Sequence, residues 1–337
     1  MDTINVLLTV PFSANIMEKL ANVSPLLAFT ERDARAPEEI ADVIAGMDVL
    51  YTVSALPAPA DAPRLRWAQL HTAGVDHVLD HPLYTQSEVM FTSISGVHAI
   101  QMTEYTFAML LALSRRVPPM LEDQAAARWV EKRWGRFLPT ELYGATLGII
   151  GYGAIGRQIA RVGQAFGMRV VAIKQNARSL KLDRYTLPNI GDPDGDIPDR
   201  IYPPEALRSF MAECDFVVVM APLTGKTRHF IDAEALAAMK PGAFLINGAR
   251  GDVIDEQALI TALQEEKIGG AALDVFSVEP LPADSPLWKL PNTIISPHVG
   301  GFSPYYDERA ADVFAENLRR FVAGEPLINL VERGKDY

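Results

Sequence analysis

The chain has 337 residues, 49% of them apolar and 22% charged, which excludes wholesale disorder and suits about two globular domains. Its 31 Lys and Arg against 42 Asp and Glu leave a net charge of −11, a surface that repels phosphate backbones and anionic lipid and so argues against nucleic-acid and membrane partners. The single cysteine, Cys214, excludes an intrachain disulfide. No apolar run nears the roughly 18 residues of a membrane span, and the start Met-Asp-Thr-Ile-Asn lacks a basic segment, so the reading is a cytoplasmic protein.

In chain order, residues 5–10, 48–53, 67–72 and 89–94 read as strands, with helical patterns near 14–21 and 38–46 and a Pro/Ala connector at 56–63. Residues 103–114 are apolar almost all round. A helix of that kind is buried, and it is read as the connection between two domains. Beyond it come short β-branched runs at 146–151, 169–174, 216–221, 243–247, 270–275 and 293–296. They are nearly continuous rather than alternating, as in parallel strands covered on both faces.

Helical patterns separate these runs: Ile155, Ile159, Val162 and Phe166 with a stop at Gly167, then 205–214, 232–240 and 255–267. Residues 307–323 read as an amphipathic helix folding back on the first domain. The fold class is therefore α/β, with two doubly wound parallel sheets and a cleft between them. One discontinuous domain takes 1–102 plus 301–337, the other 103–300. Residues 181–204, polar and Pro-rich, read as a loop inserted after the second strand of the latter. Asp192, Asp194 and Asp196 have calcium-loop spacing, but Ile197 stands where Gly is required and Pro203 where the closing Glu belongs, so no metal is assigned.

Gly151-Tyr152-Gly153-Ala154-Ile155-Gly156 follows a strand and opens a helix, the context in which G-x-G-x-x-G binds a dinucleotide in a Rossmann-like domain. Gly151 allows the tight turn, Gly153 the approach of a pyrophosphate, and Gly156 close helix–strand packing. A kinase loop is disfavoured, since neither H-R-D nor D-F-G occurs. The acid that commonly binds the adenosine ribose is missing: Lys174 stands there, with Arg178 close behind. Two cations suit a 2′-phosphate, so NADP is preferred and NAD remains the alternative, the cations then being solvated.

Three further segments end strands of the same sheet: Asn247 to Gly251, Asp274 to Pro280 and Ser296 to Gly301. They bring Arg250, Glu279 and His298 to the cofactor crevice. Arg supplies a fork for a carboxylate, His exchanges a proton near neutral pH, and Glu orients the imidazole and favours its charged form. A purely structural ion-pair role is the bland alternative.

These residues sit in long stretches that resemble the D-isomer-specific 2-hydroxyacid dehydrogenase family, which includes glyoxylate/hydroxypyruvate reductases and phosphoglycerate dehydrogenases. The stretches are HTAGVDH (71–77), GVHAIQMTEYTFAMLLALSRR (96–116), ELYGATLGIIGYGAIG (141–156), APLTGKTRHFI (221–231), MKPGAFLINGARGDVIDEQALITAL (239–263), ALDVFSVEPLP (272–282) and LPNTIISPHVGG (290–301). The resemblance implies that Arg250 binds the substrate carboxylate and polarises its C2 carbonyl, that His298 is the general acid, and that Glu279 is its partner. Backbone N–H groups of Ala73, Gly74 and Val75 would share the carboxylate. Cofactor contacts would map to Gly151, Gly153, Ala154, Ile155, Gly156, Arg157, Lys174, Arg178, Ala221, Pro222, Thr227, Gly248, Ala249, Arg250, Asp274, His298, Gly300 and Gly301, with Asp274 near the nicotinamide carboxamide. A homodimer and reduction of a small 2-oxo acid, glyoxylate or hydroxypyruvate by size, are implied. A cofactor-sensing corepressor-like scaffold is the rival.

The remaining histidines (71, 77, 81, 98 and 229) are read as surface or loop residues and Cys214 as core. Trp129, Trp134 and Trp288 border either the active site or the domain interface.

Overall fold

The computed structural model describes residues 3–176 and 185–333. Its strands are β1 (Ile4–Leu8), β2 (Leu27–Glu31), β3 (Val49–Thr52), β4 (Trp67–Leu70), β5 (Met90–Thr92), β6 (Thr146–Ile150), β7 (Arg169–Ile173), β8 (Arg200–Tyr202), β9 (Phe216–Val219), β10 (Phe244–Asn247), β11 (Gly270–Leu273) and β12 (Thr293–Ile295). The α-helices are α1 (Ala14–Ala21), α2 (Pro82–Thr85), α3 (Ala99–Ser114), α4 (Val117–Ala125), α5 (Arg133–Phe137), α6 (Ala154–Ala165), α7 (Leu207–Glu213), α8 (Ala233–Ala237), α9 (Glu256–Gln264) and α10 (Tyr306–Ala323).

The strands form two all-parallel sheets. One has the order β2-β1-β3-β4-β5, the other β12-β11-β10-β9-β6-β7-β8. Strands β3, β4, β6, β9, β10 and β11 are buried at every position, which explains their unbroken apolar runs.

Successive side chains leave a strand on opposite faces, so each sheet builds two cores. In the first sheet Leu7, Leu50 and Leu70 face one way. Val6, Leu8, Val49, Tyr51 and Trp67 face the other, under Ile16 and Leu20 of α1 and Ala311, Phe314 and Leu318 of α10. In the second sheet Leu147, Ile149 and Val218 pack on Phe107, Leu110 and Leu113 of α3 and on Ile159 of α6. Ile150, Val217 and Leu245 pack on Phe210 of α7, Leu236 of α8 and Leu259 of α9.

Several expectations change. Strand β2 is not among the expected strands, because it has no fully buried position and mixes apolar with polar residues, so it lacks the apolar run that marks the others. The helix near 38–46 is two single 3₁₀ turns, Pro37–Ile40 and Ile44–Gly46. Helix α3 starts at Ala99, and it is not buried all round: Glu104 and Ala108 are exposed. Trp129, Trp134 and Trp288 are exposed as well and fill no domain interface.

Of the segment 181–204, residues 181–184 lie outside the described residues, and the described part, 185–204, is not simply a loop. Residues 200–202 add strand β8 to the edge of the second sheet beside β7, and Asp192 is buried. Its carboxylate accepts from the backbone N–H of Gly195 (3.1 Å), Asp196 (3.0 Å) and Ile197 (3.1 Å) and from the Tyr152 hydroxyl (2.5 Å). Those donors use both oxygens, so the acidic run closes on its own backbone. Among the described residues no cluster of His, Cys, Asp or Glu could hold a metal, and no helix is long and apolar enough to cross a membrane.

Candidate active site

The glycine turn is built on two close packings and one open position. Gly151 has φ +101°, and a Cβ there would lie 2.6–2.7 Å from the backbone of Met220 and Ala221. Gly156 sits so near the Gly151 carbonyl that a side chain would collide with it. At Gly153 an added Cβ meets nothing within 4 Å. Gly153 is also the N-cap of α6, and no side chain caps that helix end. Unsatisfied N–H groups and the positive end of the helix dipole thus face open space, which fits a dinucleotide pyrophosphate. Ala154 and Ile155 form the first helical residues there.

Lys174 follows β7, half-buried, and its amine is held below the usual range by burial and then by the nearby Arg157 charge. Arg157 itself is fully buried. Its guanidinium donates to the carbonyls of Asp192 and Pro193 and lies 5.0 Å from the centre of the Tyr152 ring. It therefore fastens the 192–193 backbone to the start of α6. Arg178 lies outside the described residues.

On the other side of the turn, Ala221 is buried and Pro222 exposed, and the Thr227 hydroxyl donates to the Pro222 carbonyl (2.6 Å), shaping the loop after β9. Asn247, buried at the end of β10, accepts from Ala249 N (3.1 Å) and donates to the Arg250 carbonyl (3.1 Å), fixing the turn from which Arg250 projects. Gly248 is packed against Met102 and Met220, where a Cβ would come within 2.7 Å of Met102.

Arg250 reaches across to the first sheet. Its Nε donates to Asp76 Oδ2 at 3.0 Å and its Nη1 to the Ala249 carbonyl at 2.8 Å, and the guanidinium covers Gly74 so closely that a Cβ there would collide with it. Asp76 follows β4 and Arg250 follows β10, so the carboxyl ends of the two sheets confront each other, where open α/β sheets hold ligands. The Thr72 hydroxyl donates to the Gly74 carbonyl (2.8 Å) and bends the 73–75 loop. Among the described residues no protein acceptor takes the N–H of Gly74 or Val75. Two free N–H groups beside a guanidinium suit a carboxylate.

His298 and Glu279 are joined by a 2.7 Å contact between Nδ1 and Oε2. The other Glu279 oxygen accepts from Phe276 N at 3.0 Å, which sets the carboxylate's orientation. His298 has φ +54°, a conformation a non-glycine residue holds only where its surroundings impose it. Asp274 does so. Its carbonyl accepts from His298 N (2.9 Å), Oδ1 from Ser296 Oγ (2.7 Å) and Val299 N (2.9 Å), and Oδ2 from Gly300 N (2.9 Å). Asp274 is thus the buried pillar of the 296–300 loop, and its carboxylate oxygens are engaged with protein donors. The Tyr105 hydroxyl shares the chain through Ser296 Oγ (2.7 Å), and burial pushes its pKa up to about 12.

Sequence reasoning passed over Asp76, Tyr105 and His98. Asp76 comes directly after Val75, and an acid next to a loop expected to hold a carboxylate is the signal that could have found it. His98, taken as a loop residue, lies against Gly301 and edge-on to Tyr306 (5.2 Å between ring centres), and burial with the Arg250 charge lowers its pKa to about 4. His71, also taken as peripheral, accepts at Nδ1 from the Tyr51 hydroxyl (2.6 Å) if it bears its proton on Nε2, and burial lowers it to about 4. Cys214 lies in the core with its thiol pushed up to about 12 by burial.

A family model described as the D-isomer specific 2-hydroxyacid dehydrogenase NAD binding domain matches residues 107–300. The chain is 36% identical over 292 residues to a glyoxylate reductase of Korarchaeum cryptofilum, covering 83% of this chain and 82% of that one. It is 32% identical over 335 residues to a D-3-phosphoglycerate dehydrogenase of Methanocaldococcus jannaschii, covering 97% of this chain but only 59% of that longer relative. Among solved structures it is similar to a D-isomer specific 2-hydroxyacid dehydrogenase from Xanthobacter autotrophicus Py2 in complex with NADPH and MES: 29% identity, TM-score 0.79, all of both chains covered.

Proposed function

The chain belongs to the D-isomer specific 2-hydroxyacid dehydrogenase family, and on that premise we propose that it reduces a small 2-oxo acid to the D-2-hydroxy acid with a nicotinamide coenzyme. The observation that carries this reading is Arg250, which spans from the second sheet to the first beside the free N–H groups of Gly74 and Val75. The His298–Glu279 pair stands on strand ends of the same sheet.

In the proposed mechanism the guanidinium and the two N–H groups hold the substrate carboxylate and orient the C2 carbonyl. Arg250 polarises that carbonyl, His298 Nε2 delivers the proton to the developing alkoxide, and Glu279 holds the imidazole in place through Nδ1. The bound coenzyme supplies the hydride. Gly151 to Gly156 and the α6 N-terminus would hold its pyrophosphate, and Asp274 would aim the 298–300 backbone at its nicotinamide end. Lys174 favours NADP over NAD, by offering a cation where an acid would repel a 2′-phosphate. The Xanthobacter relative was solved with NADPH.

Glyoxylate or hydroxypyruvate is the proposed substrate, on size and on the glyoxylate reductase relative. The proposed domains are 1–102 with 301–337, and 103–300. Packing of α10 on the first sheet supports this division. A homodimer is proposed on the apolar surface left by Met120, Leu121, Trp129, Trp134 and Leu138 around α4 and α5. A cytoplasmic location accords with the lone, buried cysteine.

The test is loss of reduced-nicotinamide absorbance with glyoxylate, hydroxypyruvate, pyruvate and phenylpyruvate, each with NADPH and NADH. Turnover is expected, with a 10²–10⁴-fold fall in kcat for His298→Ala and unchanged coenzyme binding. No turnover of any 2-oxo acid despite tight coenzyme binding would refute the reading.

A further inference from the structure

Residues 185–199 run between the two sheets' domains, and each end is fastened to a different one. On the first-domain side, the backbone N–H of Tyr185 donates to Asn329 Oδ1 at 3.1 Å. Asn329 is buried, and its Nδ2 donates to the carbonyls of Ser93 (3.1 Å) and Ser95 (2.9 Å), so it is itself held in the segment just after β5. The Tyr185 carbonyl occupies the space that a side chain on Gly96 would need. Its half-buried ring packs on the cluster of Ile94, Val97, Ala310 and Val313, which also supports Ala73 of the carboxylate-binding loop.

On the other side the anchors nearest the first-domain seat are on α6 and the glycine turn. Arg161 Nη1 donates to the Asn189 carbonyl (2.7 Å), Gly191 N donates to Gln158 Oε1 (2.6 Å), and Tyr152 and Arg157 hold Asp192. Only four peptide units separate Tyr185 from Asn189. Fully extended they reach about 14 Å, so while both ends hold, the Tyr185 seat on the first domain and the Asn189 anchor on α6 cannot separate farther than that.

From this geometry we propose that residues 185–191 tether the coenzyme-binding half to the substrate-binding half, and that Tyr185 is a positioning residue limiting how far the cleft opens. The proposal rests on the reductase reading only for its kinetic consequence. Coenzyme release requires the cleft to open, and opening beyond the reach of the tether requires Tyr185 to leave its seat. The tether is anchored on α6, the helix that follows the glycine turn, and the chain continues from it into β8 beside β7, the side of the sheet where the adenosine half of a dinucleotide would lie, so it bears on release at that end.

The test lengthens the tether without touching either anchor, by inserting Gly-Ser-Gly-Ser between Thr186 and Leu187, which adds about 14 Å of reach. Tyr185→Ala removes the seated ring, and Tyr185→Phe keeps it. Spin labels go on cysteines introduced by Glu88→Cys and Ser209→Cys, both exposed, since native Cys214 is buried. Pulsed EPR reports the interdomain distance distribution, and stopped-flow fluorescence reports NADPH release, with far-UV circular dichroism confirming folding.

The insertion and Tyr185→Ala should each broaden the distances and speed NADPH release about tenfold, while Tyr185→Phe matches the parent. An insertion variant indistinguishable from the parent in both readouts overturns the tether. So does an effect of Tyr185→Ala that the insertion fails to reproduce, which would mark Tyr185 as local packing. If the protein binds neither NADPH nor NADH, the reductase reading falls, and the distance measurement still decides the tether.

Discussion

Replacing Asp274 by Asn changes one atom and no volume, so the outcome depends on hydrogen bonding alone. The carboxylate accepts from Ser296 Oγ and Val299 N through one oxygen and from Gly300 N through the other, and it is almost fully buried. An amide can keep its oxygen on the first pair, but its NH₂ then faces the Gly300 N–H, donor against donor. A charge-assisted bond contributes about 1.5–3 kcal/mol, and a buried N–H left without an acceptor costs about 1–3 kcal/mol. Relief from burying a charge offsets part of this. A net loss of about 2–3 kcal/mol follows, or a fall of roughly 5–10 °C in Tm for a unit of this size.

The loop that would relax is the one that imposes the left-handed backbone of His298. A misplacement of about 1 Å there lowers kcat by about 10²-fold. Differential scanning calorimetry and steady-state kinetics of Asp274→Asn measure both. A Tm within 1 °C of the parent and an unchanged kcat would refute the pillar role given to Asp274.

Two glycines of the phosphate turn should separate folding from binding. Gly151→Ala meets backbone at 2.6–2.7 Å with φ +101°, so chemical denaturation should show a loss of about 2–4 kcal/mol. Gly153→Ala meets nothing within 4 Å; stability should hold while NADPH affinity falls at least tenfold by fluorescence titration, because the methyl lies where the pyrophosphate approaches. Lys174→Glu should raise the KM for NADPH more than tenfold and leave that for NADH nearly unchanged, measured side by side.

Acid should destabilise the protein through His71 and His98. Both are held near 4 by burial, against about 6.5 when unfolded. Between those values the unfolded chain binds protons that the folded one refuses, so stability rises with pH across that window and is lost as pH falls from about 6.5 to about 4. Each histidine contributes about 2–3 kcal/mol. Urea midpoints from pH 7 to 4 check this, and His71→Gln, which keeps a polar group for Tyr51 and does not titrate, should flatten part of the slope.

The parts of this protein legible in the sequence are those governed by local rules. Fully buried parallel strands need unbroken apolar runs, and β6, β9, β10 and β11 showed them; a glycine turn before a helix needs particular residues at particular spacing, and Gly151, Gly153 and Gly156 supply it. Strand ends gather ligand-binding residues, so Arg250, Glu279 and His298 could be proposed from their places together with their residue types.

What tertiary structure decided are the pairings between residues far apart in the chain. The Arg250–Asp76 contact spans 174 positions, and Tyr185 to Asn329 spans 144. Edge strands β2 and β8 carry too few buried positions to leave a periodic trace, and they exist because β1 and β7 offer unpaired edges to them. The neutral state of His71 and His98 is likewise absent from their local sequence, since burial by partners brought in from other segments lowers their pKa values. Periodicity and spacing report what a residue's chain neighbours require. Contacts closed by folding depend on which surfaces meet, and only the assembled sheets determine that.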